Sequence, residues 1–317
     1  MASSSFPSPS TSGATLLEPE VIGMHPHLLF DVEGLVVVIT GGGTGIGLMM
    51  AKALENNGAT VYIVGRRKET LDKAAAENNS FNKLIPVEGD VTDRDSLLNI
   101  VDAVRSRHGY IDVLINNAGI ARNLFPHPLP SPEDEPDIAH PPSPPASPTR
   151  GPSAPSIKAF QSALWDSGSP EDFAESFLTN VTAVYYTTII IPAPDRGLSR
   201  PPYHTSQVLS VSSSGSFRLD AKVLSPSYTL SKSACTHLGK LMANLLAPWG
   251  IRSNVLAPGV WPSEMTTSPT PNGKLDPRSM AEGVPLRRAG TQEAGAYVNG
   301  AVWLVDGGRI GTVASNY

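Results

Sequence analysis

The sequence predicts an α/β protein: one domain on a doubly wound, mostly parallel sheet of about seven strands, with helices on both faces. Three features point there. Runs such as Val36 to Ile39 and Ala59 to Val64 are continuously hydrophobic and rich in β-branched residues, as parallel strands covered on both faces must be. Helical stretches of about ten to fifteen residues alternate with them, as right-handed βαβ crossovers require. The first run ends in clustered glycines that open directly into a helical pattern.

That first unit, Leu35 to Leu48, reads LVVVITGGGTGIGL. Gly41, Gly42, Gly43, Gly45 and Gly47, with Thr44 and Ile46 among them, allow a tight turn and close approach of a ligand to the backbone. A helix starting near Gly45 aims its unpaired N–H groups and positive dipole end at the turn, which suits a pyrophosphate. A flexible glycine hairpin is the competing reading; the order of strand, turn and helix favours the nucleotide. The spacing Thr40-Gly41-x-x-x-Gly45-x-Gly47 differs from G-x-G-x-x-G. It resembles the TGxxxGxG turn of the short-chain dehydrogenase/reductase family, which implies a Rossmann-type domain and a nicotinamide cofactor.

With 317 residues, a formal charge of −5 and 40% hydrophobic residues, the chain has room for one large domain. Mild acidity leaves no basic stripe for nucleic acid. Cys235, the one cysteine, excludes an internal disulfide and fits a reducing, cytoplasmic compartment. Its apolar neighbours make it a buried structural thiol rather than a nucleophile. No apolar run reaches the length of a membrane span. The Ser/Pro-rich start lacks the parts of a signal peptide. The expected organisation is a disordered tail at 1–28, the domain at 29–311 and a short tail at 312–317.

The second strand, Ala59 to Val64, ends at Gly65-Arg66-Arg67. NAD-preferring folds place an acid there for the ribose hydroxyl. Arg66 and Arg67 either clamp a 2′-phosphate, favouring NADP(H) over NAD(H), or are solvated charges opening the next helix. Helix Glu69 to Asn78 and strand Leu84 to Glu88 follow, closing at Gly89-Asp90-Val91. Asp90 lies where ligands bind in open sheets, but equally suits the N-cap of the next helix. The resemblance implies that Asp90 and Val91 contact adenine. Strand Ile111 to Ile115 leads into Asn116-Asn117-Ala118-Gly119. This matches the family's NNAG motif, which implies that Asn117, Ala118 and Gly119 line the cofactor cleft and support the sheet.

The pattern then breaks. From Pro126 to Pro155, twelve of thirty residues are proline. Such a stretch neither extends a hydrogen-bond ladder nor buries a core. Residues 122–156 therefore read as a disordered surface insertion where the family has a short loop, or as a proline-rich ligand for a partner module. Asp172 to Ile191 is helical, with Phe173, Phe177, Asn180, Val181 and Val184 on one stripe. An asparagine there is poor on propensity and invites a functional role. The resemblance implies that Asn180 holds a water linking a catalytic lysine to solvent. Pro192 to Pro202 ends this helix earlier than in the family.

Gln207 to Ser213 is the next strand, and a helix runs from about Ser227 to Leu246, closed by Pro248 and Gly250. Arg252 to Leu256 leads into Pro258-Gly259-Val260, whose backbone meets the nicotinamide carboxamide in the family. Ala301 to Val305 is the seventh strand, and Gly290 to Tyr297 stands where the family has a whole helix.

Tyr228 and Lys232, four apart on a helix, share one face. Alone they are a chance surface pair. After a Ser-rich strand end and a nucleotide turn they closely resemble the family's Ser-Tyr-Lys site. Reducing a carbonyl by hydride transfer leaves an alkoxide that must gain a proton. A free phenol, with a pKa near 10, serves poorly in both directions at neutrality. Lowering it by about three units needs roughly 4 kcal/mol, the scale of one ammonium at about 4 Å. The resemblance thus implies Tyr228 as general acid/base and Lys232 as phenol-tuning, ribose-binding residue. Ser213 would donate to the substrate oxygen; the wide spacing to Tyr228 leaves Ser212 and Ser214 open.

The histidines are scattered, giving no metal site, and no nucleophile elbow exists. The implied activity is NADP(H)-dependent interconversion of a carbonyl and a secondary alcohol. The flanks LSPSYTLSKSACTHL and NVLAPGVWPSEMT resemble fungal relatives of 3-oxoacyl-carrier-protein and rhamnolipid-type reductases. Family members pair through the helices carrying Asn180 and Tyr228, which implies a homodimer or homotetramer. The alternatives are a family member that binds NADPH without turnover, and a scaffold acting through the proline-rich stretch.

Overall fold

The computed structural model describes residues 31–125, 129–131, 156–190, 206–219, 225–259, 261 and 263, and the strand backbone at 269–270, 273–274 and 302–305. The expected tails, most of the proline-rich stretch, Pro192–Pro202, Val260 and Gly290–Tyr297 lie outside these residues.

Seven parallel strands form the sheet: β1 (Val36–Thr40), β2 (Thr60–Gly65), β3 (Leu84–Glu88), β4 (Val113–Asn116), β5 (Gln207–Val211), β6 (Arg252–Pro258) and β9 (Val302–Val305). Their order is β3-β2-β1-β4-β5-β6-β9, and β7 (Pro269–Thr270) pairs antiparallel with β8 (Gly273–Lys274). The helices are α1 (Gly45–Glu55), α2 (Lys68–Asn78), α3 (Arg94–His108), α4 (Ile157–Trp165), α5 (Pro170–Phe177), α6 (Ala183–Ile190) and α7 (Pro226–Leu246).

Alternation along β1 builds the core on both faces. Val37 and Ile39 pack with Val61, Ile63 and the apolar sides of α1 and α2, including Leu54 and Leu71. Val36 and Val38 point the other way, onto Tyr62, Val64 and the α3 stripe Leu97, Ile100 and Val104. Each such side chain contributes about 1.5–3 kcal/mol on burial. The chain order turns back between β1 and β4, so the carboxyl ends of those strands open a crevice.

Local chemistry sets the helix ends. Asp93 caps α3 by accepting from the Ser96 N–H at 2.7 Å, and Gly109 ends it at φ 75°. The expectation of Asp90 as that cap is corrected: its carboxylate instead accepts from the N–H and hydroxyl of Thr92. The helix expected over Asp172–Ile191 is also corrected. A π turn, Leu178–Thr182, separates α5 from α6, and the Ala183 N–H reaches back five residues to the Leu178 carbonyl.

α7 lies close against β6. Gly239 leaves no room there, because an added Cβ would collide with Cγ2 of Val255. The Ser253 hydroxyl bonds the Gly239 carbonyl at 3.0 Å. Gly239→Ala is expected to lower stability by about 1–3 kcal/mol through overpacking. The check is a lower urea midpoint with an unchanged slope; an unaltered midpoint refutes the close fit.

Candidate active site

The crevice between β1 and β4 is closed at its base by a hydrogen-bonded knot. Thr40 Oγ1 accepts from the N–H groups of Asn117 and Ala118 at 3.0 and 3.1 Å. Asn117 Nδ2 donates to the carbonyls of Thr40 and Gly41, each at 3.0 Å. Gly41 and Gly45 take φ of 63° and 53°, which disfavour L side chains. At Gly47 an added Cβ would strike the Gly41 carbonyl and Asn117. Thr44, the N-cap of α1, makes no side-chain capping bond, and no acid stands in the first turn. These residues fit a phosphate group: the backbone is bare, and first-turn amides face the turn.

At the outer end of the crevice, Arg66 stands 3.9 Å from Asp90. Burial alone would raise the Asp90 carboxyl, but the two Thr92 bonds and the Arg66 charge hold it below its ordinary value. Arg66 is largely exposed at the end of β2, with Arg67 beside it at the N-cap of α2. Val91 packs partly buried against the α3-side core.

The second half of the site forms where α7 meets β5 and the π turn. Lys232 is 4% exposed, so its ammonium is shielded from bulk water. Its Nζ donates to the Val211 carbonyl at 2.8 Å and lies 5.9 Å from the centroid of the Tyr228 ring. The end of β5 holds Lys232 twice, because the Ser212 hydroxyl bonds the Lys232 carbonyl at 2.8 Å and Thr236 Oγ1 at 2.7 Å. Ser212 is thus committed to packing. Ser214 is buried at the start of a 3₁₀ turn, Ser214–Phe217. Ser213 is half-buried, with its Oγ accepting from the Gly215 N–H at 3.0 Å.

Asn180 is 0% exposed in the π turn. Its Oδ1 accepts from the Ile120 N–H at 3.0 Å; its Nδ2 donates to the Ile120 carbonyl and to Ser231 Oγ, each at 2.9 Å. Ser231 passes the link on to the Tyr228 carbonyl at 2.9 Å. An added Cβ at Gly119 would stand 3.0 Å from both Asn180 Oδ1 and Lys232 Nζ, so three sequence-marked residues converge on one point. Both amide donors of Asn180 are spent on protein groups.

The structure therefore brings the glycine turn, Asn117, Ala118, Gly119, Asn180, Lys232 and Tyr228 around one crevice. Pro258 and Gly259 end the neighbouring strand β6. Three participants were not singled out in the sequence: Ile120, Ser231, and Ser263, whose Cβ is 3.0 Å from where a Gly45 Cβ would lie. A hydroxyl five residues past Pro258 was the available hint for Ser263. Arg122 and Asn123, expected inside the insertion, belong to the folded site. Arg122 pairs bidentately with Glu175 at 2.8 and 3.1 Å and holds that carboxyl below its usual range. Cys235 is fully buried, and burial pushes its thiol up despite the Lys232 charge. Among the described residues no helix is long and apolar enough to cross a membrane.

Residues 35–133 match the family model described as short chain dehydrogenase, and residues 156–309 the one described as enoyl-(acyl carrier protein) reductase. PhomF of Diaporthe leptostromiformis and VdtF of Byssochlamys spectabilis, both short-chain dehydrogenases/reductases, are each 38% identical. The alignments span 91% of this chain in both cases, and 96% and 97% of the relatives. The fold is like that of the Pseudomonas aeruginosa RhlG/NADP active-site complex, with TM-score 0.67, 23% identity, and 90% and 100% of the two chains covered. Fold and crevice define an α/β oxidoreductase of the nucleotide-binding kind. The chain belongs to the short-chain dehydrogenase/reductase family, whose members act on CH–OH and C=O groups.

Asn180→Ala is expected to destabilise the protein by about 1–3 kcal/mol for each Ile120 group left unpaired. Asn180→Asp should cost more at pH 7, since a buried carboxylate would face the Ile120 carbonyl. Urea midpoints test this ordering; an Asp variant as stable as the wild type refutes it.

Proposed function

We propose that the protein reduces a small-molecule carbonyl to a secondary alcohol, or runs the reverse, with NADP(H) and with Tyr228 as general acid/base. The observation that carries this reading is the buried Lys232 ammonium, fixed by the Val211 carbonyl beside the Tyr228 ring. The pair stands one turn apart on α7, so cation and phenol face the same side of the helix. Tyr228 would deliver its proton to the substrate oxygen, and Ser213 would donate a hydrogen bond to the same oxygen. Ser213 is the choice because Ser212 is tied to Lys232 and Thr236. Asn180 would orient the relay behind Lys232; with its amide donors spent, a relay water would be held by backbone. A bound reduced nicotinamide would supply the hydride.

Gly41, Gly43, Thr44, Gly45, Ile46 and Gly47 would receive the pyrophosphate. Asp90 and Val91 would border the adenine; Asn117, Ala118, Gly119 and the Pro258–Val260 segment would line the nicotinamide end. The preference for NADP(H) is supported by Arg66 and Arg67 at the end of β2, where a 2′-phosphate would compete with Asp90 for Arg66.

Turnover of NADPH and NADH with a panel containing ethyl acetoacetate, diacetyl and 9,10-phenanthrenequinone tests the reading. Tyr228→Phe should lose about 10²–10⁴-fold in kcat with NADPH binding retained. Arg66→Ala/Arg67→Ala should lose about 10–100-fold in kcat/KM for NADPH and little for NADH. A wild-type protein that binds NADPH and reduces nothing refutes hydride transfer; a fully active Tyr228→Phe refutes the acid/base assignment.

We also propose pairing of two copies through α5, α6 and α7. Leu178, Tyr185 and Ile189 are exposed along α5–α6, as are Leu241 and Leu245 on α7. Sedimentation should give a dimer or tetramer, reduced to monomer by Tyr185→Glu/Leu241→Glu; a monomeric wild type refutes the proposal.

A further inference from the structure

Tyr228 sits in the first turn of α7, where helix N–H groups have no intrahelical acceptor. Pro226 there donates nothing. The turn is held by side chains. Ser225 Oγ accepts from the Tyr228 N–H at 3.1 Å and donates to the Arg122 carbonyl at 2.5 Å. Ser227 Oγ donates to the same carbonyl at 3.1 Å and lies 3.0 Å from Ser225 Oγ. From α5, Ser176 Oγ stands 3.2 Å from both Ser227 Oγ and its own-helix Asp172 carbonyl, which share its one proton. All three serines are 0% exposed. Arg122 is itself clamped by Glu175, the residue before Ser176.

We propose that Ser227 is a positioning residue for Tyr228: its hydroxyl donates to the Arg122 carbonyl that also accepts from the Ser225 cap, and offers an acceptor to Ser176 of α5. It thereby fixes the first turn of α7 against the segment that follows β4. Ser227 bears directly on this turn, whereas the contacts to β6 lie further along the helix. Alanine is nearly isosteric and the better helix former, so a serine serving only to fill space would be replaced at little cost. The inference rests on Tyr228 acting as the acid/base.

The test compares full-length wild type with Ser227→Ala and Ser176→Ala. Amide hydrogen exchange over 225–232 should be at least about tenfold faster in Ser227→Ala, with α3 unchanged, as expected of a local opening. With NADPH and the best carbonyl of the panel, kcat should fall about 10–100-fold while KM for NADPH stays within about twofold, the signature of a misplaced reacting group. The deuterium isotope effect from 4-deuterated NADPH should rise. Ser176→Ala should give a smaller loss, and the double variant should not add. Unchanged exchange over 225–232, or wild-type kcat in Ser227→Ala, overturns the proposal. A wild-type chain without turnover refutes hydride transfer instead, and exchange alone then decides the role of Ser227.

Discussion

The structure depends on the knot at the carboxyl ends of β1 and β4. Neighbouring parallel strands diverge there, because the crossovers leave the sheet to opposite sides, and their last backbone groups would otherwise lack partners. Thr40 and Asn117 supply them, each serving as donor or acceptor to the other strand's end. The same bonds hold the Gly41 carbonyl, so the shape of the glycine turn is set by β4 as much as by its own sequence. Gly47 follows from this, since a side chain there would push the Gly41 carbonyl and Asn117 apart.

A second set of polar contacts begins a residue or two further along the chain. Gly119 brings the chain past Lys232 and Asn180; Ile120 gives both backbone groups to Asn180; Asn180 bonds Ser231, and Ser231 bonds the Tyr228 carbonyl. A buried polar group left unpaired costs about 1–3 kcal/mol, so such a seam is tolerable only when nearly every member is satisfied. The π turn lies on this seam. The wide turn carries Asn180, whose amide there reaches Ile120 and Ser231 together.

Much of this was legible where the signal is local. The β-branched runs, the glycine spacing and the Tyr228–Lys232 interval depend on neighbours within a few positions, and the seven sheet strands lie within two residues of where they were expected, whereas α4 and the β7–β8 pair were not anticipated. Asn180 was conspicuous as a polar residue in an apolar stripe, but its partners are sixty and fifty-one positions away. Asp90 and Asp93 both satisfy the composition rule for an N-cap, and only the place of Ser96 separates them. Ser225 and Ser227 share their Ser/Pro composition with surface loops. Nothing in their spacing marks them as buried, because the carbonyl they both bond is that of Arg122, more than a hundred positions earlier.

The long interruption after β4 is compatible with the site for the same reason. Its flanks are pinned across the gap: Arg122 to Glu175, and Asn123 Nδ2 to the Ser169 carbonyl at 3.2 Å. Ser169 also closes a capping box with Asp172 at the start of α5. The closure entropy of a loop grows only logarithmically, so doubling its length costs about 0.6 kcal/mol. Two pinned ends can therefore tolerate a long stretch between them. Helix α7 draws its position from these pins and from β5, not from the length of chain between them. Sequence can accumulate between Asn123 and Ser169 without moving Tyr228, provided the carbonyl of Arg122 stays where Ser225 and Ser227 meet it.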